Sequence, residues 1–435
     1  MSDSLAVLLE GSVAGTLTRL PGGRLRFDYD DVFRARTDAT PLSLSMPTQV
    51  RSHGDRTVTP WLWGLLPDND AVLARWARQF HASASSPFSL LATPVGEDCA
   101  GAVQFVAPDD AERFLQHKGD VTWLSEDEVG ERLRELKADS TAWLGNSFTG
   151  QFSLAGAQAK TALLFQAGRW GIPSGATPTS HILKPAVAGL DDHDLNEHLC
   201  LDAARRAGLI VAPTQVRRFG DESAIVVDRY DRVQVGERLV RVHQEDLCQA
   251  LGFPPSQKYQ NEGGPTPIQV VELLRTAMPA RAADDAVWRF VDALAWNWLI
   301  AGTDAHSKNY SLLLAGNDVR LAPLYDIASA LLYGMHEKKL GLAMKLGGHY
   351  DVFTYRNPWP RTADEIGVDV DRLTARVAEL AARAPDAFAD AATTREVTEL
   401  GRDLPHRLVD LVSERVSRCI DLLEVSGEVA SSSAS

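Results

Sequence analysis

Cysteine is scarce in this chain. Its 435 residues include four, Cys99, Cys200, Cys248 and Cys419, with no C-x-x-C pair and no zinc-ligand spacing. That excludes a disulfide framework and a structural zinc fold, and leaves small buried hydrophobes in a reducing cytosol. Long apolar runs are missing as well. Residues 5–9 are apolar but stop at Glu10, and the chain opens on Met-Ser-Asp rather than on basic residues. Neither a signal peptide nor a membrane span of roughly 18 uncharged residues fits, so a cytoplasmic protein with no membrane partner is expected. Basic excess is also absent: 44 Lys and Arg stand against 58 Asp and Glu, a net charge of −14. A chain whose main task is coating nucleic acid would need the opposite balance. There is no internal repeat. Apolar residues at 45% and charged residues at 23% are ordinary globular values, and the length suggests two or three domains.

Residues 5–9, 15–20 and 24–29 read as short strands broken by Glu-Gly and Pro-Gly-Gly turns, with a helix over 69–80. They define a small N-terminal α+β domain, 1–120, closing in the polar stretch that begins near residue 107. In 140–243 a Gly- and Ala-rich turn runs into strands at 161–165 and 181–184, a helix at 194–207, and strands at 214–219 and 224–230. Apolar residues three and four apart predict helices over 268–277, 283–300, 368–382 and 396–425, so 244–428 is a helical lobe. The Ser-rich tail 429–435 is expected to be disordered. The expected class is α+β: a mixed sheet lobe and a helical lobe flanking a cleft, behind the N-terminal domain.

The sharpest chemical feature is Gly302-Thr-Asp304-Ala-His306-Ser-Lys308-Asn309, which follows an apolar helix carrying Trp296 and Trp298, both read as core. Asp304 and Asn309 stand in D-x-x-x-x-N spacing, in which protein kinases place a catalytic Asp beside a hydroxyl nucleophile and an Asn oxygen on Mg²⁺. Seventeen residues after Asn309 comes Asp326, an interval that fits a hairpin and returns a second metal ligand to the cleft. The alternative for Asp304 and Asn309 is a helix C-cap and turn, which those residue types favour. His306 reads as a hydrogen-bonder fixing the loop.

Phosphoryl transfer also needs cations and N–H donors on the phosphates. Lys184 ends a short strand, and Glu197, thirteen residues later on the next helix, is its expected ion-pair partner. The turn Ala155-Gly156-Ala157-Gln158-Ala159-Lys160 could cover the phosphates with backbone amides; it lacks the Walker spacing. Asp228-Arg229-Tyr230 stands where a nucleotide hinge would. Taken singly, Lys184 is a solvated surface charge. Asp191, Asp192, His193, Asp194 and His198 resemble a metal cluster, but acidic residues also suit a helix start.

In this order the motifs resemble the HipA family of bacterial serine/threonine kinases, the toxin halves of toxin–antitoxin pairs. The resemblance rests on Pro41 to Pro47, Leu65-Leu-Pro-Asp68, Ser153 to Lys160, Lys184-Pro185, Asn196-Glu197, His243 to Asp246, Gln249 to Gly252, Lys258-Tyr259, Gly263-Gly264, Thr303 to Asn309 and Tyr325-Asp326-Ile327. It implies a protein-kinase-like two-lobed fold and an ATP- and Mg²⁺-dependent kinase. Asp304 would act on the substrate hydroxyl, and Asn309 and Asp326 would hold Mg²⁺. Ala155 to Lys160, Lys184, Asp228 to Tyr230, His306, Lys308, Tyr325 and Asp326 would contact ATP, and Ser153 would be autophosphorylated, expelling the phosphate loop. Asp228 stands where the family often has Glu. The resemblance further implies an aminoacyl-tRNA synthetase as substrate, a HipB-like helix-turn-helix antitoxin as partner, DNA reached only through that partner, and a full-length rather than split toxin. Two other classes compete. One is a catalytically inactive kinase-like binding protein that acts with the antitoxin in transcriptional autoregulation; the other is a metal-dependent hydrolase using Asp304 and His306.

Overall fold

Leu5, Val7 and Leu9 alternate with Ala6 and Leu8, yet all five are buried, because their strand lies inside a sheet covered on both faces. In the computed structural model, which describes residues 3–146, 150–186, 189–334 and 340–432, Ser4–Leu9 pairs antiparallel with Ser12–Arg19 on one side and Gln104–Val106 on the other. Leu25–Tyr29 and Ser52–Gly54 complete five strands. Glu10 and Gly11 make the first turn with φ of 50° and 74°, the doubly positive pattern that matches hairpin twist. One face gathers Leu5, Val7, Phe27 and Tyr29 with Trp61 of helix Asp55–Gly64 and Trp76 of helix Asp70–Gln79. The other sets Ala6 and Leu8 against Val106, Phe114 and Ala176. The first core also takes in Trp143, Phe152 and Leu154.

A six-stranded sheet follows, in the order Thr214–Phe219, Glu222–Asp228, His181–Pro185, Thr161–Gln166, Arg169–Pro173, Val121–Leu124. Helix Glu126–Ala138 lays Val129 and Leu133 on Leu163, Leu183 and Phe219. Arg169–Pro173 and Val121–Leu124 were not among the expected strands; the second is an edge strand with Thr122 and Trp123 exposed, so it shows no apolar alternation. His243–Asp246, Ser311–Ala315 and Asp318–Leu321 form a three-stranded sheet that contains the hairpin expected between Asn309 and Asp326.

The chain divides into two units that do not follow chain order. One comprises Met1–Ala188, Arg218–Gln257 and Ser311–Ala322; the other comprises Gly189–Arg217, Lys258–Tyr310 and Pro323–Ser435 and is mainly helical. In the second, helix Ala280–Leu299 buries Trp296, stacked on Phe388 at 5.8 Å, and Trp298, edge-on to Trp359 at 5.6 Å. Helix Val370–Ala392 outruns its expected end at 382, passing Pro385, because Ala387, Phe388 and Ala391 prolong the buried stripe. The helix expected over 396–425 is two: Arg395–Thr398 stops, Gly401 takes φ 66°, and Leu404–Ser432 starts with Pro405 in its first turn. Glycine after a helix end and proline at a helix start are the reason. The tail expected to be disordered over 429–435 is helical to Ser432; 433–435 lie outside the described residues. All four cysteines are buried and free.

Candidate active site

Just past the end of helix Ala280–Leu299, Gly302 packs tightly against Asn297. The Gly302 amide donates to the Asn297 carbonyl at 2.7 Å, and a Cβ there would lie 2.2 Å from Asn297 Oδ1. Ala301 turns with φ 54°. The chain then closes into a compact loop. The exposed Asp304 offers its carbonyl to the His306 amide at 2.8 Å and to Asn309 Nδ2 at 2.7 Å, while the Asn309 amide donates to the His306 carbonyl at 2.8 Å. His306, Lys308 and Asn309 are buried. The His306 ring stands edge-on to Tyr259 at 4.9 Å, and the Tyr259 hydroxyl donates to Asp304 Oδ1. Ser307 donates its hydroxyl to the Lys258 carbonyl at 2.7 Å. Tyr259 was not an expected site residue; spacing carries no signal for a contact made across 45 residues.

After the hairpin the chain returns to the same loop. The Leu324 amide donates to the Ile210 carbonyl at 2.9 Å, and the Tyr325 hydroxyl donates to the Lys308 carbonyl at 2.7 Å. Asp326 follows with φ 56°, a left-handed backbone that costs a non-glycine residue roughly 1–2 kcal/mol. The following segment is clamped. Buried Asn196 donates to the Ser329 carbonyl at 2.8 Å and to the Tyr333 hydroxyl at 3.0 Å, and accepts from the Ser329 amide at 3.1 Å; Ser329 donates its hydroxyl to the Ile300 carbonyl at 2.7 Å. Asp304, Asn309, Tyr325 and Asp326 are thus tied into one structure. Glu197 is buried next to Asn196 on helix His193–Arg206.

A cavity of about 620 Å³ opens beside this loop, with Asp304, Thr303, His193, Ser329, Tyr333 and Arg407 in its lining. The acidic stretch that resembled a metal cluster is committed elsewhere. Asp192 and Asp194 pair with Arg402 at 2.7 and 3.1 Å, and His198 Nδ1 lies 2.9 Å from Thr214 Oγ1. Asn309 Nδ2 is spent on the Asp304 carbonyl, so its Oδ1 is the side-chain oxygen it could offer a hard cation such as Mg²⁺, as the Asp326 carboxylate could offer its own.

The first unit holds the other expected groups. The turn 155–160 is fastened to the N-terminal motif at residues 65–68 and its neighbour: the Asp68 amide donates to the Gly156 carbonyl at 3.1 Å, Asn69 Nδ2 to the Ala157 carbonyl at 3.4 Å, and the Ser153 hydroxyl to the Leu65 carbonyl at 2.8 Å. Ser153 has 0% of its surface exposed, so its hydroxyl is reachable only when this segment leaves. Gly156 takes φ 99°, and Lys160 bends back to donate to the Ala155 carbonyl at 2.6 Å. Gln158 and Ala159 stay half-buried and Ala157 is exposed. Lys184 is buried on His181–Pro185 opposite Ile225.

The hinge expectation needs one correction. The Arg229 amide donates to the Ser180 carbonyl at 2.9 Å, its carbonyl accepts from the Arg232 amide at 3.1 Å, and its guanidinium reaches Asp231 at 2.7 Å and the Cys99 carbonyl at 2.9 Å. Arg229 therefore belongs to a buried ionic cluster around Asp98. Burial there pushes the Asp98 carboxyl up, but Arg232, Arg241 and Arg229 override it and hold it well below the ordinary range. Asp228, 3.1 Å from His181 Nε2, and Tyr230, whose hydroxyl donates to Gln244, flank this anchor.

The N-terminal family motif over 41–47 likewise packs on the motif over 243–252. The Leu44 amide donates to Glu245 at 2.8 Å, the Ser45 hydroxyl to the Gln249 carbonyl at 3.1 Å, and Gln249 Nε2 to the Trp61 carbonyl at 2.9 Å. These motifs hold the unit together.

Comparison with known proteins covers most of the chain. The HipA N-terminal domain matches residues 5–106 and the HipA-like C-terminal domain residues 152–388. The candidate kinase Y4mE of Sinorhizobium fredii is 34% identical over 388 residues, covering 88% of this chain and 91% of that protein. The serine/threonine-protein kinase toxin HipA of Shewanella oneidensis is 29% identical over 366 residues, 80% of each. A chain from the solved complex of Shewanella oneidensis MR-1 HipA, HipB and operator DNA superposes with a TM-score of 0.80 at 23% identity, over 97% of this chain and 98% of that one. Among the described residues no helix is long and apolar enough to cross a membrane.

Proposed function

The chain belongs to the HipA family, and from that premise we propose that it is an ATP-dependent serine/threonine protein kinase acting as the toxin of a HipBA-like module. The observation that carries this reading is the loop in which Asp304 and Asn309 are locked together and joined through Lys308 and Tyr325 to Asp326. Asp304 is exposed and lines a cavity of about 620 Å³. Its carboxylate orients the acceptor hydroxyl and takes its proton as the hydroxyl oxygen bonds to the γ-phosphorus and the bridging P–O bond to ADP breaks. Asn309 Oδ1 and the Asp326 carboxylate would hold Mg²⁺, which would supply neutralisation of the phosphate oxygens. Lys184 would bind the phosphates. Ala155 to Lys160 cover them, His306 and Lys308 shape the loop beneath them, and the backbone of Asp228 and Tyr230 meets the base.

The same reading assigns Ser153 as an autophosphorylation site. A phosphate adds about −1.5 to −2 charges, which a fully buried position facing the Leu65 carbonyl cannot hold, so the modified segment would leave and uncover the phosphate site. The partner we propose is a HipB-like antitoxin, with DNA contacted through it; the net charge of −14 suits a basic DNA-binding partner better than DNA itself. An aminoacyl-tRNA synthetase is the substrate that the family resemblance implies. Incubating the purified chain with labelled ATP and cell lysate tests the kinase reading. Mg²⁺-dependent labelling of a discrete protein supports it. Tight Mg-ATP binding without any transfer would favour the inactive binding protein.

A further inference from the structure

Tyr259 lies on a segment that has no chemical task in the reading above, yet it is fastened to the Asp304 loop at three points. Its hydroxyl donates to Asp304 Oδ1. Its ring packs edge-on against His306, with centroids 4.9 Å apart and planes at 87°. The carbonyl of the preceding Lys258 accepts both the Ser307 amide at 3.2 Å and the Ser307 hydroxyl at 2.7 Å. The segment is itself stiff: the Tyr259 carbonyl accepts the Glu262 and Gly264 amides, each at 3.0 Å, and Gly263 takes φ 87° to close the turn.

We propose that Tyr259 is the positioning residue for Asp304: its hydroxyl holds Oδ1 so that the carboxylate keeps one rotation and leaves Oδ2 for the acceptor hydroxyl. The physical need is specific. The terminal torsion of an aspartate is broad and roughly two-fold, and Asp304 is exposed, so packing does not select a rotamer for it. A carboxylate that turns freely spends part of its time out of line with the hydroxyl, and misplacement of a reacting group is expensive in rate. The ring and the hydroxyl have separable tasks, since the ring meets His306 and only the hydroxyl meets Asp304.

This inference rests on the kinase reading of Asp304, and the test separates the two. The full-length wild type, Tyr259→Phe and Tyr259→Ala are compared for initial rates of phosphate transfer from labelled ATP to the lysate acceptor, for KM of ATP, and for thermal unfolding. Tyr259→Phe keeps the ring and should lose about tenfold in kcat, with KM for ATP and the unfolding temperature unchanged; Tyr259→Ala should lose at least as much. A Phe variant with wild-type kcat, whatever Ala does, would reduce Tyr259 to a packing residue and overturn the proposal. A wild type that transfers no phosphate removes the kinase reading, and the role of Tyr259 with it.

Discussion

Asn309 donates its side-chain amide to the backbone carbonyl of Asp304 at 2.7 Å, closing a six-residue loop on itself. The bond fixes the backbone that carries the Asp304 carboxylate, and it engages Asn309 through Nδ2 rather than Oδ1.

Asp304→Ala should cut phosphate transfer by at least roughly a hundredfold. Because Asp304 is exposed, the unfolding temperature should stay close to wild type. Asn309→Ala should also lose activity but need more Mg²⁺ for half-maximal rate. Labelled-ATP assays across a Mg²⁺ titration, with melting curves alongside, check both; an Asp304→Ala variant of near-normal activity would contradict the assignment.

Asp326 separates chemistry from backbone strain. Its φ of 56° suits glycine, so Asp326→Gly should be about 1 kcal/mol more stable than Asp326→Ala. Both should lose the stabilisation that Mg-ATP confers on the wild type. Melting curves with and without Mg-ATP measure the two effects; equal stability of the two variants would argue against strain at this position.

Asn196→Ala should be costly although it leaves the loop sequence untouched. It strips partners from the buried Ser329 amide and carbonyl, and each buried orphan costs about 1–3 kcal/mol. Urea unfolding should report a loss of at least about 2 kcal/mol, together with reduced transfer as the segment after Asp326 loosens.

The pH dependence of stability should be set partly by a pair on one strand. Burial pushes the Glu245 carboxyl from 4.5 up to about 8 and the His243 imidazole from 6.5 down to about 4. Between pH 4.5 and 8 the folded state keeps a Glu245 proton that the unfolded state has released, so this contribution falls by about 1.4 kcal/mol per pH unit. Between pH 4 and 6.5 the unfolded state binds a His243 proton that the folded state refuses, so that contribution rises at the same rate. The two cancel from about pH 4.5 to 6.5 and leave a decline toward pH 8. Glu245→Gln should abolish the decline above pH 6.5, as measured by urea titrations at successive pH values; an unchanged slope would show that Glu245 is not its source.

Local chemistry made much of this legible in advance. The strand at Ser4–Leu9, the helix at Ala280–Leu299 and the hairpin between Asn309 and Asp326 depend on apolar period and turn residues, which a chain displays along its length. The D-x-x-x-x-N spacing named Asp304 and Asn309 because six residues of one loop are enough to close it. The edge strand Val121–Leu124 escaped because its exposed residues have no period to show.

What the sequence by itself determined was the inventory: the class of the fold, the Asp304–Asn309 loop as a candidate site, and the acidic, cysteine-poor composition that rules out whole families of function. Only the tertiary structure decided which of these groups are occupied and by whom. Arg229 looks like a hinge residue until Asp231, Cys99 and Ser180 take its guanidinium and amide. Tyr259 and Asn196 stand in the sequence only as parts of family motifs with no task attached, yet one holds Asp304 and the other clamps the segment after Asp326. The reason is physical. Propensity and periodicity act over a few residues, whereas a polar group takes its partner wherever the folded chain brings one, here across 45 residues for Tyr259 and 133 for the buried Asn196.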